Sequence, residues 1–277
     1  MGVLGVFGVC EQDFSRTLPG DETWSLPSVL LRILGIPTLL EILSQGSDSH
    51  MIKHHLLDVF ENIAELNWNP DNYDLIEGIV SQEKQEIELR NCVLATGGVE
   101  FWLDNLLCEA RSSLSITISD CWEFMKLREF QQILAMVNFF IAQVGLLGIQ
   151  IYWTYRSEYG LVSSAENTRI MRSVNDEFLV EFLGVLNTFI EQTTLDLTKV
   201  ERTKFETLVT IHVHQRDIFD EMVTLEINKL TDFQWLKQAR FYIDDEDDTC
   251  VVKITDVNFV YQLEFLGCQE RLVGFRH

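Results

Sequence analysis

Between Glu129 and Arg156 the chain carries no charged side chain, and Ile133 to Trp153 is an almost continuous apolar run. Such a stretch has to leave water. A helix needs about 20 apolar residues to cross a bilayer, and this run is long enough. Asn138, Gln143 and Gln150 are spread along it, however, and Gly145 and Gly148 interrupt it. It is a single candidate span with no asymmetry in its basic flanks, so membrane insertion is the weaker reading. The expectation is a buried helix or helix-turn-helix. A chain of 277 residues has the bulk to bury it, in one large domain or two smaller ones.

The flanking sequence supplies what would cover that run. Asn175 to Glu191 places Phe178, Leu179, Phe182, Leu183, Leu186, Phe189 and Ile190 at helical spacing. Leu197 to Val223 is a second amphipathic segment, with Val200, Leu208, Ile211, Ile218 and Met222 on one face. The connection through Thr193 to Asp196 is short, so the two helices should pack antiparallel. Val99 to Phe130 reads as one long helix and the start of another, although helix and strand compete over Ser112 to Ser119. Leu30 to Phe60 reads as two short helices. Trp68 to Tyr73 is a turn, and the alternation over Glu83 to Leu89 fits a short strand or hairpin. The fold class is therefore mainly α, helical bundles ending in a small β hairpin. Met1 to Pro27 has no clear periodicity, and residues 1–28 read as a poorly ordered stretch or a foreign leader.

Composition excludes some partners. The formal net charge is −22 with an isoelectric point near 4.5, which argues against nucleic acid and anionic membrane surfaces. The same argument opposes direct contact with an acidic microtubule surface. The six cysteines, Cys10, Cys92, Cys108, Cys121, Cys250 and Cys268, form no Cys-x-x-Cys pair, which fits a reduced, intracellular chain best. Met1 to Cys10 lacks the basic start of a signal peptide. Val6 stands where myristoylation of Gly2 wants Ser or Thr.

Catalytic chemistry finds little foothold. A phosphate-binding loop needs a Gly-Lys pair, and no lysine follows a glycine. Phe241 to Glu246 resembles an apolar strand ending in acids, but reads as an acidic hairpin turn. His212 and His214 fall on different faces of an expected helix, and His50 and His54 lack a third ligand nearby. All four are expected at the surface or near helix ends. There is no Gly-x-Ser-x-Gly elbow. No catalytic, cofactor-binding or metal-binding residue is assigned.

Asp232 to Cys268 is the most informative stretch. Thr231 or Asp232 can cap a short helix bearing Phe233, Trp235 and Leu236. Arg240 to Ile243 and Cys250 to Thr255 read as paired strands about the acidic turn Asp244 to Asp248, and Val257 to Leu266 follows as a second apolar stretch, a further strand. Aromatics this dense suggest a piece that docks on something else, the alternative for Trp235, Phe241, Tyr261 and Phe265 being plain core. Trp235-Leu-Lys-Gln-Ala-Arg-Phe-Tyr242, Ile254-Thr-Asp-Val-Asn-Phe-Val-Tyr-Gln262 and Glu264-Phe-Leu-Gly-Cys-Gln-Glu-Arg-Leu-Val273 resemble the end of the linker in dynein heavy chains. Val200 to Phe219 and Ala142 to Trp153 are similar to the same family. The flavour resembles axonemal outer-arm chains, and the likeness runs from about Leu30 to Val273.

That resemblance implies an elongated linker rod over residues 29–273, with 274–277 as a non-family tail. It implies a mechanical lever of a minus-end-directed microtubule motor, lying across a ring of AAA+ ATPase modules. ATP and magnesium belong to that ring, so no cofactor is implied here. The junction with the ring would fall at Trp235, Arg240, Phe241, Tyr261, Phe265, Leu266 and Arg271. Intermediate and light intermediate chains are partners in the family. Leu263 stands where the family usually carries Asn, and Gly274 to His277 replaces a Thr-Pro segment before the phosphate-binding loop. The resemblance thus implies a fragment without motor activity of its own. The alternative is a short scaffold protein that binds ring modules or competes with an intact linker.

Overall fold

A computed structural model describes residues 49–126, 133–165, 168–244 and 249–267. The chain divides into two compact units, residues 1–116 with 262–277, and residues 117–261.

In the first unit a 3-10 turn, Ser49–His54, leads into the single turn α1, Leu56–Val59. Three antiparallel strands follow: β1 Glu65–Trp68, β2 Leu75–Val80 and β3 Glu86–Leu94, in that order across the sheet. The β1–β2 turn is built by Asn69, whose side-chain oxygen accepts from the amides of Asp71 and Asn72. Alternation on β3 turns Ile87, Leu89 and Val93 inward. The long helix α2, Val99–Lys126, begins in this unit. Its Ser113 hydroxyl accepts from the Arg90 amide of β3 at 2.9 Å, and its buried stripe is Trp102, Leu103, Leu106, Ala110 and Leu114. The expected hairpin is thus a three-stranded sheet. The contest over Ser112 to Ser119 goes to helix, because Leu114 and Ile118 continue the buried stripe. Of the two short helices expected between Leu30 and Phe60, the first lies outside the described residues. The second is a 3-10 turn plus one α turn.

In the second unit the charge-free run forms a helix-turn-helix. It comprises α3, Ile133–Phe139, and the first half of α4, Ala142–Ala165. No helix among the described residues is long and apolar enough to cross a membrane. Gly148 lets α4 lie close against α2, since an added Cβ would sit 2.8 Å from the Cys121 sulfur. Helices α5, Thr168–Thr193, and α6, Lys199–Thr224, form the expected antiparallel pair. Phe189 faces Phe205, while Phe182, two turns earlier, faces His212 and Phe219. A capping box starts α6: the Thr198 hydroxyl accepts from the Glu201 amide, and the Glu201 carboxylate accepts from the Thr198 amide. Leu183 and Ile190, expected on the buried stripe of α5, are instead largely exposed. The apolar arc is wider than the face that α6 and α4 cover.

His212 corrects the expectation of surface histidines. Its side chain lies between Phe182 and Phe189, and its Nε2 is 2.9 Å from the Phe182 carbonyl oxygen. Burial holds its pKa below the ordinary histidine value of 6.5. The unfolded chain then takes up a proton more readily than the folded one. His212 therefore contributes stability that is complete above about pH 6.5 and is lost as pH falls through the lower folded value. Urea unfolding at pH 7 and pH 5 should show a loss of stability that is smaller in His212→Asn.

Helix α7, Phe233–Leu236, is capped by Asp232, whose carboxylate accepts from the Gln234 amide. Strands β4 Arg240–Ile243, β5 Cys250–Ile254 and β6 Val257–Val260 close the unit as a second antiparallel sheet, ordered β4-β5-β6. The expected hairpin and the strand after it pair into one sheet, the last strand ending at Val260 rather than Leu266. Of the expected acidic turn, residues 245–248 lie outside the described residues.

Candidate functional site

The second sheet is held to α4 by polar ties as well as by packing. Trp235 is wholly buried in a cluster with Trp153, Leu161, Phe182, Phe219 and Met222. Its ring centroid is 5.4 Å from that of Trp153. The Thr154 hydroxyl donates to the Gln150 carbonyl, one turn back, and accepts from the Phe241 amide at 3.0 Å. Phe241 lies on β4, an edge strand, so Thr154 closes the outward side of that edge. One turn on, Glu158 Oε1 accepts from the Tyr242 hydroxyl at 2.6 Å and from Trp235 Nε1 at 3.4 Å. Burial, with Glu158 beside it, pushes the Tyr242 hydroxyl well above the ordinary tyrosine pKa. At the other end of α4 the Gln143 amide donates to the Tyr261 hydroxyl at 2.9 Å. Within the sheet, the buried Arg240 guanidinium donates to the Thr255 carbonyl, and the Thr255 amide donates to the Leu236 carbonyl.

On its opposite flank α4 is tied to α5. Tyr152 and Arg156 both donate to the Glu181 carboxylate, Tyr152 at 2.8 Å. Tyr152/Arg156 and Thr154/Glu158 are both i, i+4 pairs, set two residues apart, so they project from roughly opposite sides of one helix. Replacing Thr154 by Val keeps the shape but removes the acceptor for the buried Phe241 amide. Loss of about 1–3 kcal/mol is expected, read as a lower urea midpoint and faster amide exchange at β4.

The expected junction residues are thus distributed between the two units. Trp235, Arg240, Phe241 and Tyr261 are all buried in the second unit, and their burial is within this chain. Phe265 and Leu266 belong to the first unit, where the Leu266 carbonyl accepts from Asn62 Nδ2 at 2.9 Å. Phe265 lines a cleft of about 260 Å³ with Leu57, Phe60, Leu107 and Arg111. Arg271 lies outside the described residues. Sequence reasoning missed Gln143, Thr154 and Glu158. Their only signal was polar residues at turn spacing on a helix otherwise read as apolar.

Reaction chemistry is thin around these residues. Among the described residues no group of three His, Cys, Asp or Glu side chains is placed to hold a metal ion. The described cysteines are free thiols, and burial pushes those of Cys121 and Cys250 up to about 12, far from the reactive thiolate range.

Fold and site together define an α-helical scaffold segment whose polar groups bind its own sheet to its central helix. Residues 32–121 match the family model for dynein heavy chain, N-terminal region 2. Over 237 residues, 86% of this chain, it is 50% identical to dynein axonemal heavy chain 8 of Homo sapiens and 48% identical to dynein axonemal heavy chain 5 of Rattus norvegicus. It is 32% identical over 241 residues to the dynein gamma chain, flagellar outer arm, of Chlamydomonas reinhardtii, again 86% of this chain. The chain belongs to the dynein heavy chain family. It spans 5%, 7% and 5% of the length of those three relatives.

Proposed function

We propose that this chain is part of the linker of an axonemal dynein heavy chain, a non-catalytic lever in a minus-end-directed microtubule motor of cilia and flagella. The observation that carries the reading is α4, which is tied to α5 through Glu181 and to the second sheet through Thr154 and Glu158. A lever has to transmit displacement without internal slip, and hydrogen-bonded register at both flanks of one helix resists slip better than apolar packing alone. The partner is the AAA+ ring of the heavy chain, where ATP and magnesium bind, and the linker-to-ring junction includes Phe265, Leu266 and Arg271. Intermediate and light intermediate chains assemble elsewhere in the same complex. In this reading the chain makes no direct contact with microtubules.

The test is a flexible Gly-Ser insertion between Tyr261 and Gln262, where the chain passes from the second unit to the first, in an intact heavy chain carrying this segment. Microtubule gliding should slow sharply while ATP turnover persists. Unchanged gliding velocity would remove the lever reading.

A further inference from the structure

We propose that Glu158 is a positioning residue for the stroke, the acceptor that fixes the second sheet in register with the helices so that both move as one body. The proposal rests on the lever reading and names the residue that makes the lever stiff. Glu158 Oε1 receives two side chains from different elements, Trp235 of α7 and Tyr242 of β4. Apolar packing alone leaves such a contact free to slide. The Trp153 and Trp235 rings, tilted at 48°, set no unique register. The 2.6 Å hydrogen bond from Tyr242 does set one, because such a bond weakens steeply once donor and acceptor slide apart.

Register then passes through the ladder to the exit of the unit. Phe241 pairs with Val252 and Val252 with Phe259, so fixing β4 fixes β6. Tyr261 follows directly, and its hydroxyl is itself held by Gln143 of α4. The direction in which the chain leaves the second unit is therefore set from α4 at Gln143, Thr154 and Glu158, the outer two about four turns apart. On the other flank, Tyr152 and Arg156 hold Glu181 of α5. A displacement delivered through α5 reaches the sheet across the width of one helix, with Glu158 as the last polar step.

Three variants of an intact heavy chain carrying this segment test this: Glu158→Leu, Glu158→Gln, and the flexible insertion after Tyr261. Gliding velocity, ATP turnover and hydrogen exchange of the Arg240–Ile243 and α5–α6 peptides are measured for each. Glu158→Leu should slow gliding roughly 3-fold or more, on the scale of a local coupling residue. ATP turnover should stay within about 2-fold, and exchange should rise over β4 but not over α5–α6. Glu158→Gln retains an oxygen acceptor and should restore most of the velocity. If the insertion slows gliding and Glu158→Leu does not, the role of Glu158 is overturned while the lever stands. If neither changes gliding, the lever reading itself fails. If Glu158→Leu lowers velocity and turnover in parallel, or loosens α5–α6 as well, Glu158 is an ordinary stability residue and the proposal is wrong.

Discussion

Replacing Trp235 by alanine is expected to destabilise the second unit by about 3–5 kcal/mol, the usual cost of truncating a buried large aromatic side chain. The indole is fully buried at the meeting point of α4, α5, α6 and the loop after α6, against Trp153, Leu161, Phe182, Phe219, Met222 and Ile227. Its removal leaves a cavity bounded by four elements, each anchored elsewhere, so collapse into the space is restricted. The loss also deprives Glu158 of one of its two donors. Against a typical domain stability of about 5–15 kcal/mol, this is a large fraction. Trp235→Phe should recover more than half of it, because it keeps most of the volume and loses the Nε1 contact. Urea unfolding followed by circular dichroism, with amide exchange to separate the units, distinguishes the two. Equal midpoints for Trp235→Ala and the parent chain would show that the cluster does not support the unit.

The second large effect is expected at Lys204. This lysine of α6 is buried, and its ammonium group donates to the carbonyls of Val137 and Phe140 at the end of α3, the Phe140 contact at 3.2 Å. The last carbonyls of a helix have no intrahelical donors, and a cation there also complements the helix dipole. Lys204→Met keeps the apolar stem and removes the charge. Charge-assisted hydrogen bonds contribute about 1.5–3 kcal/mol, and a carbonyl left dry adds its own desolvation cost. A net loss of about 3 kcal/mol is therefore expected. The loss should appear first as faster amide exchange through the turn between α3 and α4. Exchange that rises only across α5 and α6 would show that the ammonium does not hold the end of α3.

Periodicity made the helices legible and left the polar ties unread. The 3.6-residue spacing of Phe182, Leu186 and Phe189, and of Leu208, Ile218 and Met222, located α5 and α6, and the short link gave their antiparallel packing. The charge-free run resolved into the helix-turn-helix because Gln143, Gln150 and the glycines marked it as protein interior. The first sheet was underestimated. Glu65 to Trp68 is too short and too weakly alternating to announce a strand, and pairing with Val80 through Ile76 makes it one. Histidine 212 was misplaced because a histidine and a polar surface position look alike in sequence; its burial depends on the Phe182 carbonyl, 30 residues away. Lys204, Thr154 and Glu158 were invisible for the same reason. Their partners lie far along the chain, and no local pattern specifies them. The aromatics Trp235, Phe241, Tyr261 and Phe265 were noticed by density, which does not separate an interface from a core. Each is buried within this chain.

The long sequence separations of these ties also set a timetable for synthesis. The ammonium that satisfies the end of α3 lies 67 residues beyond Val137, and the hydroxyl that meets Gln143 lies 118 residues beyond it. At translation rates of about 5–20 residues per second, the charge-free run waits roughly 6–24 seconds after emerging before Tyr261 follows it. For that interval the most apolar part of the chain is without its last polar anchors. The fold of this unit is consequently completed late, from the C-terminal side.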